Sequence, residues 1–230
     1  MRRFTREVRY FLYKGFTPVT KGLILLGGVF LLLIHLYKPL SSLIVLTPVT
    51  FFRYPWTLLT YPLVNPDILS TLLSFLWLWF AGSSLERSWG TQTYGFFLFL
   101  VTLVTGLAMA LVAFLLRFPI QIYGFWLPLT AITWAWADVF RGQELLFWGI
   151  IPIKAEWLAW LHAALTFLRY FRLDWLLGVA SVSGIAVVYL FRGRGPFAQG
   201  FRYWLWRRGF SFKGWTGRSR RKKRRLRVVE

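Results

Sequence analysis

His35 and His162 are the only imidazoles in this 230-residue chain, and cysteine is absent. A neutral imidazole can take a proton from a nucleophile or ligate the metal of a haem or chlorophyll. A chain without Cys has no disulfide, thiol or Cys-ligated metal chemistry. Each histidine stands alone in an aromatic-rich apolar stretch, where the expected role is a hydrogen bond to a neighbouring helix or a place at the membrane interface. His35 and His162 are therefore only weak candidates for pigment or haem ligation, and no cofactor or metal is assigned. Ser70, Ser74, Ser181 and Ser183 carry hydroxyls that could act as nucleophiles, yet no His or Lys is spaced to activate them. Asp67, Asp138, Glu144, Glu156 and Asp174 all fall at the edges of apolar runs. A transporter needs ionisable groups at mid-membrane, so that reading is disfavoured.

Membrane helices must position these side chains. Apolar residues make up 57% of the chain and aromatics 20%, in runs too long for a soluble core. The run 118–137, FPIQIYGFWLPLTAITWAWA, carries no charge for twenty residues. At ~1.5 Å per residue it matches a ~30 Å hydrocarbon core, so a transmembrane helix is expected over it. Pro128 inside that helix would need neighbours to shelter the freed carbonyl. Counted the same way, spans fall at 22–37, 68–85, 91–116, 118–137 and 175–191, with a shorter one at 155–171 whose Glu156 and Arg169 reach toward the interfaces. The run 22–37 reads as a retained helix, because no small-residue cleavage site follows it. The segment 38–62, broken by Pro39, Pro48, Pro55 and Pro62, is expected as bent pieces with aromatic anchors at the interface.

Charge orients the bundle. Of 28 Lys and Arg, six precede the first apolar run and fourteen follow the last, from Arg192 to Arg227. The positive-inside rule puts both tails in the cytoplasm, which requires an even number of crossings and favours counting 155–171. The chain divides into a basic segment 1–21, a six-helix membrane domain 22–191, and a basic, aromatic tail 192–230. Within the pairs Trp77/Trp79 and Trp134/Trp136 the members face different ways, so lipid contact explains them better than a cofactor surface.

Several motifs resemble those of the rhomboid intramembrane serine proteases. Ala81-Gly-Ser-Ser-Leu-Glu86-Arg-Ser-Trp-Gly90 is similar to that family's Gly-x-x-Leu-Glu-x-x-x-Gly signature, through Gly82, Glu86 and Gly90. Pro55-Trp56 to Pro62 resembles the Trp-Arg-x-x-Thr stretch that leads into the second helix, with Thr57 where the Arg would be. Pro152-Ile-Lys154 resembles the Pro-[Val/Ile]-Lys turn after the fourth helix, and setting it there places Gly124 on the first glycine of Gly-x-Ser-Gly. Trp126 then stands at the nucleophile and Leu127 at the second glycine. Ser70 and Ser74 take the His-x-x-x-Asn positions that polarise the oxyanion. Ser181, in Ala180-Ser-Val-Ser-Gly184, takes the place of the general base, with Gly184 on the motif's last glycine. Serine cannot accept a proton at neutral pH. For Glu86 the resemblance implies a structural tie to loop donors such as the Gly90 amide.

The resemblance implies an all-α, rhomboid-like bundle of six transmembrane helices with both termini cytoplasmic and no proteolytic activity. Trp126 and Leu127 are expected to fill the space beside the fourth helix as a dry plug against the faces of Ser74 and Ser181. Such a pseudoprotease would bind transmembrane segments of clients or of partners in a larger complex. The alternatives are an active serine protease with another catalytic arrangement and a pigment- or haem-associated accessory subunit. The tail run Arg218, Arg220, Arg221, Lys222, Lys223, Arg224, Arg225 and Arg227 is expected to bind anionic lipid headgroups in preference to nucleic acid.

Overall fold

The computed structural model describes residues 17–37, 40–65, 67–140, 144–147 and 151–192, with Tyr203 and Arg207. Six helices dominate it: α1 (Pro18–Leu36), α2 (Ile68–Trp89), α3 (Thr91–Leu115), α4 (Trp126–Val139), α5 (Ala155–Phe171) and α6 (Trp175–Arg192). Among the described residues, α1, α2, α3 and α6 are long and apolar enough to cross a membrane. The shorter α4 and α5 have 14 and 17 residues. At ~1.5 Å per residue these helices reach about 21 and 26 Å.

The helix expected from Phe118 begins only at Trp126. Residues 118–125 instead run as non-helical chain, and Ile122 forms a β-bridge with Leu46, each amide bonding the other's carbonyl at 2.8 and 3.2 Å. Gly124 takes φ +91°, a left-handed conformation open to glycine, and its amide donates to the Tyr61 carbonyl at 3.0 Å. Ile120 and Ile122 are buried, so on that side this irregular segment is covered by the rest of the protein. Pro128 consequently lies in the first turn of α4, where its missing N–H would have had no intrahelical partner.

Residues 40–63 follow the expected bent course as short helical pieces, Leu40–Ile44, Thr50–Arg53, Thr57–Thr60 and Tyr61–Leu63. Trp56 is exposed and its indole donates to the Leu43 carbonyl at 3.3 Å. Thr57 is fully buried, and its hydroxyl donates to the Tyr54 carbonyl at 2.7 Å. Among the described residues the β-strands form a single antiparallel hairpin, β1 (Glu144–Phe147) and β2 (Ile151–Lys154), with Glu144 opposite Lys154 and Phe147 opposite Ile151. The Pro152–Lys154 turn is thus a strand. Exposed Lys154 forms the N-cap of α5 in an extended conformation.

Two large apolar layers and a smaller cluster of Ile34, Ile44, Val45 and Val64 hold the bundle together. One layer gathers Leu78, Leu85, Trp89, Phe97, Trp136 and Phe191 from α2, α3, α4 and α6. The other, at the opposite end, gathers Leu46, Tyr61, Met109, Ile122, Leu127 and Leu177. Trp89 stacks on Phe191 with ring centroids 6.3 Å apart, so the end of α6 meets the end of α2. Glu86, in that last turn of α2, bonds the start of α1. The first and last helices therefore enter and leave the bundle at one end. Arg192 pairs there with Asp138 at 3.3 Å, joining the ends of α6 and α4.

Close approach needs small residues at two motif glycines. A Cβ on Gly184 would lie 2.5 Å from Thr105 Oγ1 and 3.3 Å from Ala131 Cβ, where α6 meets α3 and α4. A Cβ on Gly82 would lie 2.5 Å from the Tyr94 hydroxyl.

Candidate functional site

Because α4 starts at Trp126 directly after the Gly124 turn, the position matched to a nucleophile lies at the head of a short buried helix. The expected plug is divided between two residues. Leu127 is 1% exposed and joins the layer containing Leu177 and Ala180 of α6. Trp126 is only half-buried and meets α5, its ring centroid 4.5 Å from that of His162 at 61°.

His162 lies inside the bundle on a polar seam. Its Nδ1 is 3.0 Å from Thr133 Oγ1. Trp77 of α2 donates its indole N–H to the same oxygen at 2.8 Å, and the Thr133 hydroxyl donates to the Leu129 carbonyl at 2.8 Å. One turn along, Thr130 and Thr166 share a hydrogen bond at 2.9 Å. One of these hydroxyls donates to the other, and the one that accepts is free to donate to its own helix, Thr130 to the Trp126 carbonyl or Thr166 to the His162 carbonyl. The seam thus ties α2, α4 and α5. Within each indole pair the members differ as expected: Trp79 is exposed while Trp77 is half-buried, and Trp136 is buried against Trp77 and Phe80 while Trp134 is half-buried. Trp136 is core, however, and makes no lipid belt.

The serines do not assemble around an imidazole. Ser181 is buried, and its hydroxyl donates to the Gly178 carbonyl at 2.7 Å and, at 3.5 Å, faces the Thr166 carbonyl. Ser74 is buried with its hydroxyl unpartnered, as is the Ser183 hydroxyl. Ser70 is half-buried at the start of α2, and its amide is capped by the Asp67 carboxylate at 2.8 Å. Among the described residues the one imidazole–hydroxyl pair is Thr133–His162. Its threonine was missed in the sequence, although Thr130/Thr133 on one helix and His162/Thr166 on the next are matched polar pairs in otherwise apolar runs. His35 is exposed near the end of α1, with Nδ1 2.8 Å from the Leu31 carbonyl.

The Glu86 carboxylate does not accept from the Gly90 amide. That amide donates to the Glu86 backbone carbonyl at 2.9 Å, and Gly90 turns the chain at φ +85°. The carboxylate, 2% exposed, instead accepts from the amides of Val19 and Thr20 at 3.0 and 2.9 Å and from the Thr20 hydroxyl at 2.8 Å. These amides are first-turn donors of α1, which have no intrahelical partner, and the positive end of the helix dipole favours the charge. The tail residues Arg218, Arg220, Arg221, Lys222, Lys223, Arg224, Arg225 and Arg227 lie outside the described residues.

A short fourth helix behind a Gly124 turn, Gly82 and Gly184 at helix contacts, and a buried Glu86 followed by Gly90 define a rhomboid-like integral membrane protein. Residues 20–192 match the family described as eukaryotic integral membrane protein (DUF1751), and the chain belongs to that family. It is 26% identical over 155 residues to Rhomboid-like protein 19 of Arabidopsis thaliana, covering 64% of this chain and 50% of that protein. It is 33% identical over 70 residues to Protein pdh1 of Schizosaccharomyces pombe, covering 30% of this chain and 31% of that protein. The chain spans half or less of the length of these curated relatives.

Proposed function

We propose that this chain is a rhomboid-like protein without proteolytic activity, whose helix bundle holds transmembrane segments of other proteins and leaves them uncut. The observation that carries this reading is the occupied head of α4. Leu127 fills the interior beside Leu177 and Ala180, where a substrate backbone would need room. The Ser181 hydroxyl is committed to Gly178, and His162 to Thr133. A nucleophile needs a base within hydrogen-bond reach, and none of the four serines has one among the described residues.

The apolar faces of α2 and α5 support the binding half of the reading. Leu69, Leu72, Leu73 and Leu76 of α2 and Leu161, Leu165 and Leu168 of α5 are exposed. Both helices pack on α4 and leave Trp126 half-covered. In the membrane, six crossings with both ends in the cytoplasm agree with the tail charges and with the shared end of α1 and α6. The polybasic run then lies at the anionic inner surface. Isolation from the native membrane in mild detergent, followed by mass spectrometry, tests the proposal. Intact single-pass or multi-pass proteins should copurify in stoichiometric amounts, and fragments cut within their spans would refute it.

A further inference from the structure

His162 has a second nitrogen that the polar seam leaves unused. Its Nε2 is buried, with no hydrogen-bond partner, on a side chain 9% exposed. The proton inventory around Thr133 decides what that nitrogen offers. Thr133 Oγ1 carries one hydrogen and has three neighbours: the Trp77 indole N–H, the Leu129 carbonyl and His162 Nδ1. The indole can only donate and the carbonyl can only accept. All three contacts become hydrogen bonds only if the hydroxyl donates to Leu129 and Nδ1 carries the imidazole proton. The neutral ring then has no hydrogen on Nε2, which is a bare lone pair in an apolar interior.

We propose that His162 Nε2 is the acceptor for a hydrogen-bond donor presented by a bound transmembrane helix, a hydroxyl or amide side chain near the middle of its span. This rests on the binding role proposed above and names the feature that role would select. The surroundings fit such an occupant. Exposed leucines of α2 and α5 suit an apolar helix, whereas an unpaired acceptor in hydrocarbon favours the helix that brings a donor. Half-exposed Trp126 lies against the imidazole with ring centroids 4.5 Å apart, and in the proposed complex it is the side chain that moves to admit the donor.

The test uses the full chain in neutral-lipid nanodiscs and two labelled polyleucine peptides with lysine ends, one with a central threonine and one with a central valine. The two guests are nearly isosteric and differ in the hydroxyl. Energy transfer to a labelled chain should give about threefold to thirtyfold tighter binding of the threonine peptide, the range of an interhelical hydrogen bond in lipid. In His162→Phe the two should bind alike, since Thr133 keeps Trp77 and Leu129. Equal binding to the unaltered chain would overturn the Nε2 proposal, as expected if water fills the nitrogen, and would leave the helix-binding role standing. Binding of neither peptide would overturn both. Nitrogen NMR of labelled histidine in a His35→Asn background needs no change at His162. Its Nε2 should be unprotonated and should shift when the threonine peptide is added; a protonated Nε2 in the free chain would also overturn the proposal.

Discussion

Thr20 gives both its amide and its hydroxyl to the Glu86 carboxylate, at 2.9 and 2.8 Å, across 66 residues of sequence. With the Val19 amide, this makes a side chain of α2 the cap of α1, whose own Thr17 supplies no side-chain hydrogen bond there. Charge-assisted bonds contribute about 1.5–3 kcal/mol each, so Glu86→Gln should destabilise the bundle by roughly 2 kcal/mol and Glu86→Ala by more. Thermal unfolding in detergent measures it. An unchanged midpoint for Glu86→Ala would mean that α1 does not depend on this cap.

Two glycines should respond in opposite directions. Gly184→Ala places a methyl 2.5 Å from Thr105 Oγ1 and should cost about 1–3 kcal/mol through overpacking. Gly28→Ala meets nothing within 4 Å in the middle of α1 and should be neutral or stabilising by up to about 1 kcal/mol. Comparing the two midpoints separates helix contact from helix propensity.

At the head of α4 the larger loss belongs to Leu127. Leu127→Ala should cost about 2–5 kcal/mol, as for a buried leucine in a packed core. Trp126→Ser removes a half-buried ring and should cost less, about 1–2 kcal/mol. Neither change, nor Trp126→Ser with Leu127→Gly, should yield cleavage of a transmembrane substrate. Fluorophosphonate and isocoumarin probes should leave all these proteins unlabelled; stoichiometric labelling of any serine would identify an active nucleophile.

For the tail, a peptide of residues 218–227, eight of whose ten residues are basic, should bind vesicles containing phosphatidylserine. Each basic residue contributes about 1 kcal/mol at an anionic surface, screened over roughly 8 Å at physiological salt. Binding should be lost in high salt and absent on neutral vesicles. Reporters active only in the cytoplasm should give signal when fused to either end of the chain.

The helices and their motif glycines were legible because each carries a local signature: long uncharged runs for α1, α2, α3 and α6, and glycine where the backbone turns to positive φ at Gly90 and Gly124. The start of α4 was not. Residues 118–125 are as apolar as a helix, but apolarity reports surroundings and not conformation, and Ile122 is held by a Leu46 partner 76 positions away. The partner of Glu86 was hidden for the same reason, since two of its three donors are backbone amides that no residue type marks. The His162–Thr133 pair left a faint trace as polar residues on adjoining helices, and only packing shows that they meet.

The wide, π-type turn at Leu78–Gly82 changes what a count along α2 means. At about 100° per residue, the twelve positions from Ser74 to Glu86 would set the two side chains about 120° apart on a regular helix. One looped-out residue takes up about a third of a turn and brings them to within about 20° of one another. Both are buried, at 2% exposure each, as that shared orientation requires. A homologue with an unbroken helix here would keep the same pair of facings with one residue fewer, so aligning the two chains correctly calls for a single-position gap inside 78–82. A gapless alignment would match every position before the bulge to the wrong side of its counterpart's helix.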